Sequence, residues 1–409
     1  MYKLFLPLWL AAWPACALAV VEPSASLTLP AALALADGAH PDLTAARHDL
    51  SAEDGTVQQA GLLPNPSLMM ERVDTRRRSS EDRRETTIQL SQPLELGGKR
   101  AARVQAAQRG REGVAASLAL RRAEVRAETA AAWFAVLAAQ EQLRLAQQSS
   151  ELALRAAGAT GRRVVAGKVS PVEETRARVA ASTVKLELIR AHGTLVTARA
   201  RLAALWGNPS PQFDSVAGEI GALPELPSLA TQRTLLARSP SLQVARSELE
   251  HRQALAKVEL SRRTPDVAIN IGSKRSEELG RTQAVFGLSV PLPLFDRNQG
   301  AVLATARQVD KARDGLSATS ARLETELLQA REEYASARAQ ALALQDEILP
   351  GAQSAYEAAS TGFEYGKFGF LDVLDAQRTL LQAQSHYLTT LADAHRAQAA
   401  ISRLLGTDQ

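Results

Sequence analysis

Few residues of this 409-residue chain have the types and spacing of a catalytic or metal-binding site. No two of its histidines lie four positions apart, the spacing at which one helix face binds a metal ion. Gly97-Gly98-Lys99 lacks the other residues of a phosphate-binding loop, and the sequence contains neither a nucleophile elbow nor a zinc-protease motif. We therefore expect no enzyme activity, no cofactor and no bound metal. The histidines are His40, His48, His192, His251, His386 and His395.

The composition favours long helices over a compact enzyme. Only 4% of the residues are aromatic, and Ala, Leu, Arg, Glu and Gln dominate, as in helices that pack through small side chains. The 48 basic and 44 acidic side chains leave a net charge of +4, so the surface is mixed in sign. Such a surface argues against nucleic-acid binding.

Residues 1–19 have the pattern of a cleaved signal peptide: Lys3, an apolar core, then small residues at Ala17-Leu18-Ala19. The alternative is lipidation at Cys16, although the preceding residues are a poor match to a lipobox. No later segment has about twenty consecutive apolar residues, so no transmembrane helix is predicted. The mature chain is then expected to be periplasmic, secreted or an outer-membrane strand protein.

The chain repeats itself. Pro66 and Pro265 are 199 positions apart, and so are Gly167 and Gly366. The predicted first repeat (20–208) has a β-hairpin at about 66–94, a long helix at about 97–157 and a helix at about 171–205. After a linker (209–228), the second repeat (229–409) has a hairpin at about 265–292, a long helix at about 300–350 and a helix at about 370–405.

The strands alternate apolar and polar residues, as Val267, Ile269 and Ile271 do with the residues between them. Strands of this length and pattern are typical of outer-membrane strands. Four strands cannot close a barrel, and lipid does not tolerate open sheet edges. The pattern favours an oligomer whose protomers share one barrel; the alternative is two hairpins packed on a soluble helical body.

The two strand-to-helix junctions resemble a known family. They read Gln92-Pro93-Leu94-Glu95-Leu96-Gly97-Gly98-Lys99-Arg100 and Pro291-Leu292-Pro293-Leu294-Phe295-Asp296-Arg297-Asn298-Gln299-Gly300. The chain resembles the outer membrane efflux protein family, of which the TolC channel is best known, and most of all its CzcC-like heavy-metal branch.

This resemblance implies an α+β membrane protein built from a duplicated helix–β-hairpin–long helix–helix unit. It implies a homotrimer with a 12-strand β-barrel in the outer membrane, surrounded by outer-membrane lipid, on a long periplasmic α-helical coiled-coil barrel. The implied partners are a periplasmic adaptor (membrane fusion protein) and an inner-membrane pump of the resistance-nodulation-division (RND) type; no nucleic acid is implied.

The resemblance also assigns candidate sites. Residues 365–375 match the family's periplasmic tip, so Asp372 and Asp375 are candidate gate residues, three apart on one helix face. Asp372 has a second explanation, because an acidic residue at the third helical position stabilises a helix start. Phe368 stands where some family members carry a basic latch residue. The turns expected to dock the adaptor are Gly167-Lys168-Val169 and Gly366-Lys367-Phe368.

A basic cluster in the predicted extracellular loop has two readings, contact with outer-leaflet phosphates or simple solvation. Its members are Arg76, Arg77, Arg78, Arg83 and Arg84.

The leading hypothesis is a passive export channel, most naturally for heavy-metal cations. The alternatives are a channel of the same fold for drug efflux or type I protein secretion, and a soluble periplasmic coiled-coil scaffold.

Overall fold

The computed structural model describes residue 22, residues 26–75 and residues 83–407. The expected signal peptide, Cys16 and Arg76 to Arg78 lie outside these residues. The helices are α1 (Leu29–Ala39), α2 (Pro41–Ala60), α3 (Lys99–Val165), α4 (Pro171–Ala204), α5 (Leu229–Leu236), α6 (Pro240–Ser261), α7 (Gln299–Ala343), α8 (Leu349–Glu364) and α9 (Phe370–Leu405). The strands are β1 (Ser26–Leu27), β2 (Ser67–Thr75), β3 (Arg83–Leu94), β4 (Ser215–Val216), β5 (Val267–Ser276) and β6 (Arg281–Ser289). Within the described ranges, no helix combines the length and the apolarity needed to cross a membrane.

Glycine ends the helices at equivalent points of the two halves. Gly167, Gly207, Gly366 and Gly406 all have φ between 67° and 75°, a left-handed conformation that glycine adopts without steric cost. In each case the next residue donates its N–H to a carbonyl five residues earlier, as Lys168 does to Arg163 at 2.9 Å. These are Schellman caps, which satisfy the last carbonyls of a helix.

The chain forms two compact units, and the first comprises residues up to 41, 125–225 and 332–399. Its core surrounds Trp133, whose indole N–H donates to the Leu27 carbonyl at 3.0 Å. Leu27 belongs to β1, which pairs in parallel with β4. Phe213 and Leu202 complete this core and are fully buried. The short sheet thus ties the chain's lead segment to the segment between the halves.

The second unit comprises residues 42–124, 226–331 and the described residues after 399. It holds an antiparallel sheet of order β2-β3-β5-β6, in which the described residues leave β2 and β6 as unpaired edges. The register places large apolar side chains on one side, which we call the apolar face, and they are 40% to 77% exposed. These side chains are Leu68, Met70, Ile88, Leu90, Ile269, Ile271, Phe286 and Leu288.

The opposite side of the sheet, the polar face, carries mostly hydrophilic residues, with Met69 and Val73 among them. Lys274 and Glu85 form an ion pair there at 2.7 Å. Gly272 lies where two strands approach closely, because a Cβ at this position would meet the Ile88 carbonyl oxygen at 2.4 Å. Asn270 and Gln283 lie on the same face. A sheet that is apolar on its exposed side and polar on the other matches strands that separate lipid from water.

Ion pairs join the sheet to the start of α3. Lys99 contacts Asp266 at 2.7 Å and Arg103 contacts Glu95 at 2.5 Å. The hydrogen bond from Arg103 outweighs desolvation and lowers the pKa of Glu95. The pKa of Asp266 is also lowered: burial acts to raise it, but hydrogen bonds from Lys99 and the Leu96 N–H prevail.

The expected end of the first long helix was wrong. We predicted an end near residue 157 and a turn from Gly158, whereas α3 continues to Val165. Gly158 and Gly161 both lie within the helix, where a single glycine costs about 1 kcal/mol relative to alanine, an amount that tertiary contacts override. Arg163, in the last turn, makes such contacts.

The second long helix also continues beyond its expected end at Pro350. It widens into a π-helical turn at Leu344–Ile348 and then runs on as α8 to Glu364. Leu349 donates its N–H to the Leu344 carbonyl, five residues back instead of four. Proline lacks an N–H and its ring clashes with the carbonyl four residues back in a regular α-helix. The wider turn relieves this clash. The proline therefore changes the hydrogen-bond spacing from four residues to five without ending the helix.

Candidate functional site

Two short turns lie together in the first unit. Turn A (residues 166–170) joins α3 to α4, and turn B (residues 365–369) joins α8 to α9. The N–H of Lys367 donates to the Gly362 carbonyl at 2.8 Å, just as Lys168 does in turn A. Ser170 caps α4 by accepting from the Val172 N–H at 3.3 Å. Both turns are therefore fixed by their own backbone hydrogen bonds.

Arg163 connects the two turns. One guanidinium nitrogen, Nη2, donates to the carbonyls of Phe363 and Glu364 at 2.9 and 3.3 Å. The guanidinium carbon lies 4.1 Å from the centre of the Phe363 ring, a cation–π contact. The Phe363 ring in turn packs against Phe370 at 5.9 Å. Turn A and turn B are thus held as one structural element.

Phe368 takes up space that the facing glycine leaves free. A Cβ on Gly362 would lie 2.1 Å from Cδ2 of Phe368, so the ring needs glycine at this position. Phe368 itself is 50% exposed, and Tyr365 beside it is 78% exposed. Phe368, which the resemblance aligns with a basic latch residue of some family members, therefore makes an aromatic packing contact here.

Asp372 and Asp375 both lie exposed in the first turns of α9. The Asp372 carboxylate accepts a hydrogen bond from the Gly369 N–H at 2.8 Å, which is the helix-capping role that the sequence also suggested. The Asp375 carboxylate makes no ion pair or hydrogen bond in the described part of the chain. Glu173, the equivalent of Asp372 in the first half, instead pairs with Arg176 at 3.2 Å. Of these three carboxylates, that of Asp375 alone has no hydrogen-bond or ion-pair partner among the described residues.

The turns also present unpaired cations. Lys168 and Lys367 are exposed and have no ion-pair partner among the described residues. Between the turns is a cavity of about 580 Å³, lined by both backbones and by Arg163, Lys168, Val169 and Phe368. Gly366 borders it, and both Gly366 and Gly167 have no atom within 4 Å of their would-be Cβ positions. The site is a surface cleft between the two turns, lined by aromatic and basic groups.

The described strand ends that flank the predicted basic loop lie at the far end of the sheet from the junctions with the helices. Arg83 begins β3, and Arg84 follows it with partners: its guanidinium lies 3.7 Å from Asp74 and 4.0 Å from Glu277. The charge of Arg84 is therefore largely offset by acidic neighbours. In the described segments, no three His, Cys, Asp or Glu side chains are grouped to hold a metal ion.

His395 is a buried packing residue of α9. Its ring stacks on Phe134 with centres 3.6 Å apart, and its Nε2 contacts the Ile220 carbonyl at 2.8 Å. Because that carbonyl only accepts, Nε2 carries a hydrogen. Burial lowers the pKa of His395, against a smaller opposing effect of the Ile220 hydrogen bond.

The comparisons with known proteins agree with this architecture. The family model "Outer membrane efflux protein" matches residues 32–208 and 232–407. The chain belongs to the outer membrane efflux protein family. Within it, the chain is 46% identical over 385 residues to the cobalt-zinc-cadmium resistance protein CzcC of Cupriavidus metallidurans, covering 94% of this chain and 91% of that protein.

Solved structures of similar fold have far lower identity. The crystal structure of CusC has a TM-score of 0.79 at 15% identity and covers 93% of this chain and 92% of that one. The outer membrane protein VceC of Vibrio cholerae has a TM-score of 0.75 at 19% identity, with coverage of 93% and 96%. The fold is thus that of the TolC-like outer-membrane channels. This efflux-family chain is an outer-membrane protein with a periplasmic helical extension.

Proposed function

We propose that the chain is the outer-membrane channel of a tripartite efflux system that exports heavy-metal cations. The observation that carries the cargo is the 46% identity, over nearly the whole chain, to a protein named for cobalt, zinc and cadmium resistance. The channel would be passive, and its partners would supply the energy for export. A periplasmic adaptor and an inner-membrane RND-type pump would deliver the cations.

Three copies of the chain would complete the membrane part. The sheet has an exposed apolar face and, among the described strands, two unpaired edges. The apolar face favours lipid over water, but lipid does not tolerate open sheet edges. If β2 of one protomer pairs with β6 of the next, three four-stranded sheets close into the proposed 12-strand barrel. The polar face then lines the lumen and the apolar face meets lipid.

The entrance of the channel would lie at turns A and B. In a trimer, Asp372 and Asp375 would each occur three times around the axis, and rings of carboxylates attract cations. Arg163 holds the turns together, so opening of the entrance would require turn A and turn B to separate. The gate would then be a change in helix packing between two arrangements.

The same turns would dock the adaptor. Lys168 and Lys367 offer free positive charge, Phe368 and Val169 offer apolar contact, and Gly167 and Gly366 leave room for a close approach. A partner helix hairpin with acidic and apolar side chains at its end would complement this surface.

Single-channel conductance tests the channel and its acidic entrance together. Wild-type protein in a planar bilayer should give stepwise currents that Zn²⁺ blocks from the side of turns A and B. Asp372→Asn/Asp375→Asn should weaken the block by about tenfold or more, because three negative charges are lost in each ring. Asparagine at position 372 keeps the acceptor for the Gly369 N–H, so the helix cap survives.

Glu173→Gln is the matched control, because Glu173 has the same place in the first half but is neutralised by Arg176. If Glu173→Gln weakens the block equally, the acidic ring at 372 and 375 is not the entrance. If the wild-type protein remains a water-soluble monomer, the channel is excluded.

The cargo is tested in cells. Deletion of the gene should sensitise the host to Co²⁺, Zn²⁺ or Cd²⁺ and leave its resistance to hydrophobic drugs and its secretion of proteins unchanged. Sensitivity to drugs alone would instead assign the channel to drug efflux.

A further inference from the structure

One line of residues across the sheet interrupts the apolar face. The register aligns Arg72 with Thr86, Thr86 with Arg275 and Arg275 with Thr282. The line crosses all four strands on the apolar side, directly beyond Met70 and its neighbours and towards the loops. It consists of two guanidinium groups and two hydroxyls, with no carboxylate.

The two arginines are free. Arg72 and Arg275 are exposed, and neither has an ion-pair or hydrogen-bond partner in the described part of the chain. Asp74, the acidic residue of β2 on the same face as Arg72, contacts Arg84 at 3.7 Å. Arg72 and Arg275 lie two strands apart, about 10 Å from backbone to backbone, within reach of one multiply charged ligand.

The height of this line on the sheet indicates what the arginines meet. From Leu94, at the end of β3 near α3, to Thr86 there are eight residues, a path of about 26 Å along the strand and roughly 20 Å along the membrane normal at a strand tilt of about 40°. The apolar band of an outer-membrane strand protein is about 25 Å tall. The line lies close to that height and directly beyond the exposed apolar pair Met70 and Ile88, so it marks where hydrocarbon gives way to headgroups, on the side away from the helices. Since the helices are periplasmic, that side is the outer leaflet.

We propose that Arg72 and Arg275 bind the phosphate groups of outer-leaflet lipid, with Thr86 and Thr282 as additional hydrogen-bond donors. The proposal rests on the proposed function, in that the apolar face must meet the membrane. Guanidinium groups bind phosphate with paired hydrogen bonds. An unpaired arginine beside an apolar band requires a counter-charge, and the phosphorylated headgroup supplies it. Arg84 belongs to the predicted basic cluster, but its charge is offset by Asp74 and Glu277.

The test measures binding of diphosphorylated lipid A to the full-length purified protein in nanodiscs of phosphatidylcholine. Native mass spectrometry counts the bound lipid over a titration. Arg72→Gln/Arg275→Gln should weaken binding about 30-fold, given about fivefold for each arginine near an anionic surface. An excess of inorganic phosphate should not displace the lipid from the wild type.

Arg281→Gln is the matched control. Arg281 has the same charge and nearly the same height on β6, but it lies on the polar face, opposite Ser276. Binding by this control should equal that of the wild type. The proposal fails if the double variant binds like wild type, if Arg281→Gln loses as much affinity, or if inorganic phosphate competes fully.

Conductance in bilayers of pure phosphatidylcholine separates this proposal from the proposed function. The double variant should conduct like wild type there, because no phosphorylated lipid A is present to bind. A conducting variant with unchanged lipid binding overturns the lipid site alone. A protein that never conducts and never enters nanodiscs overturns the channel on which the lipid site rests.

Discussion

Single residues at the turns decide how tightly the helices can approach. Gly362 is helical but has no room for a methyl group against Phe368. Gly193, in α4, has no atom within 4 Å of its would-be Cβ. The two glycines therefore make a matched pair for the same substitution.

We predict that Gly362→Ala destabilises the protein by about 1–3 kcal/mol, through overpacking against the Phe368 ring. Gly193→Ala should stabilise it by up to about 1 kcal/mol, because alanine is the better helix former. Unfolding in detergent measures both. In a Phe368→Ala background, Gly362→Ala should cease to destabilise; if it still does, the ring contact is not the cause.

His395 predicts a pH dependence of stability. Its pKa is lowered in the folded protein, so between the folded and unfolded pKa values the unfolded state binds more protons. Its contribution is fully present above about pH 6.5, the ordinary value, and is lost as pH falls from there towards the folded pKa. His395→Gln should reduce the pH dependence of the melting temperature between pH 6.5 and the folded pKa of His395. His386→Gln, at an exposed position of the same helix, should leave the slope unchanged.

At the scale of elements, the tie between turn A and turn B is a contact of residues 200 positions apart. No local sequence pattern indicates it. The repeat offers one indication of this contact. Arg163 of α3 aligns with Gly362 of α8, so the two halves carry different residues at equivalent positions of equivalent helices. The sequence predicted both turns through their glycines, and it could not predict the side chain that joins them.

We expect Arg163→Gln to loosen this tie and raise the open probability of single channels about tenfold or more, because a hydrogen bond to a charged group contributes about 1.5–3 kcal/mol. Arg162→Gln is the control, since Arg162 is exposed and has no partner among the described residues. Equal effects of the two variants would contradict the role of Arg163.

The π-helical turn explains why the helix continues past Pro350, where the sequence predicted an end. Proline is a reliable signal of an interrupted hydrogen bond, but whether the helix ends or widens depends on what packs around it. Here Tyr387 of α9 donates to Gln345 at 3.1 Å from the other side of the hairpin. That contact is between distant residues, so the local sequence favours an end where tertiary packing supports a continuation.

Amide hydrogen exchange tests the π-helical turn against its regular counterpart. We predict exchange about tenfold faster at residues 344–350 than at residues 145–151 of α3, because fewer regular hydrogen bonds hold the turn. Pro350→Ala should slow exchange there by allowing a regular helix. Unchanged exchange in this variant would show that the proline does not cause the widening.

At the scale of the whole molecule, strand alternation predicted the two faces of the sheet, and the glycine and proline spacings revealed the duplication. The pairing of β3 with β5 joins the two halves into one sheet, and no pattern within either hairpin specifies it. The alignment of Arg72 with Arg275 depends on that pairing, so the sequence alone drew attention to the loop arginines instead.

The apolar face predicts where charge prevents membrane insertion. Ile271→Arg places a charge on that face in the central strand β5, at a cost of about 2–4 kcal/mol near the middle of the bilayer. We expect a marked loss of membrane-inserted protein on fractionation. Asn270→Arg, one residue earlier on the polar face, should insert like wild type; equal losses would contradict the assignment of the two faces.

The unpaired edges of β2 and β6 have a genetic consequence. If each channel needs three functional chains, a defective chain that still folds and pairs through its edge strands would inactivate every trimer that it joins. With equal expression of functional and defective chains, only about one trimer in eight would be wholly functional. Defects in the helices that leave both edges intact should therefore be dominant, whereas defects that destroy an edge strand should be recessive.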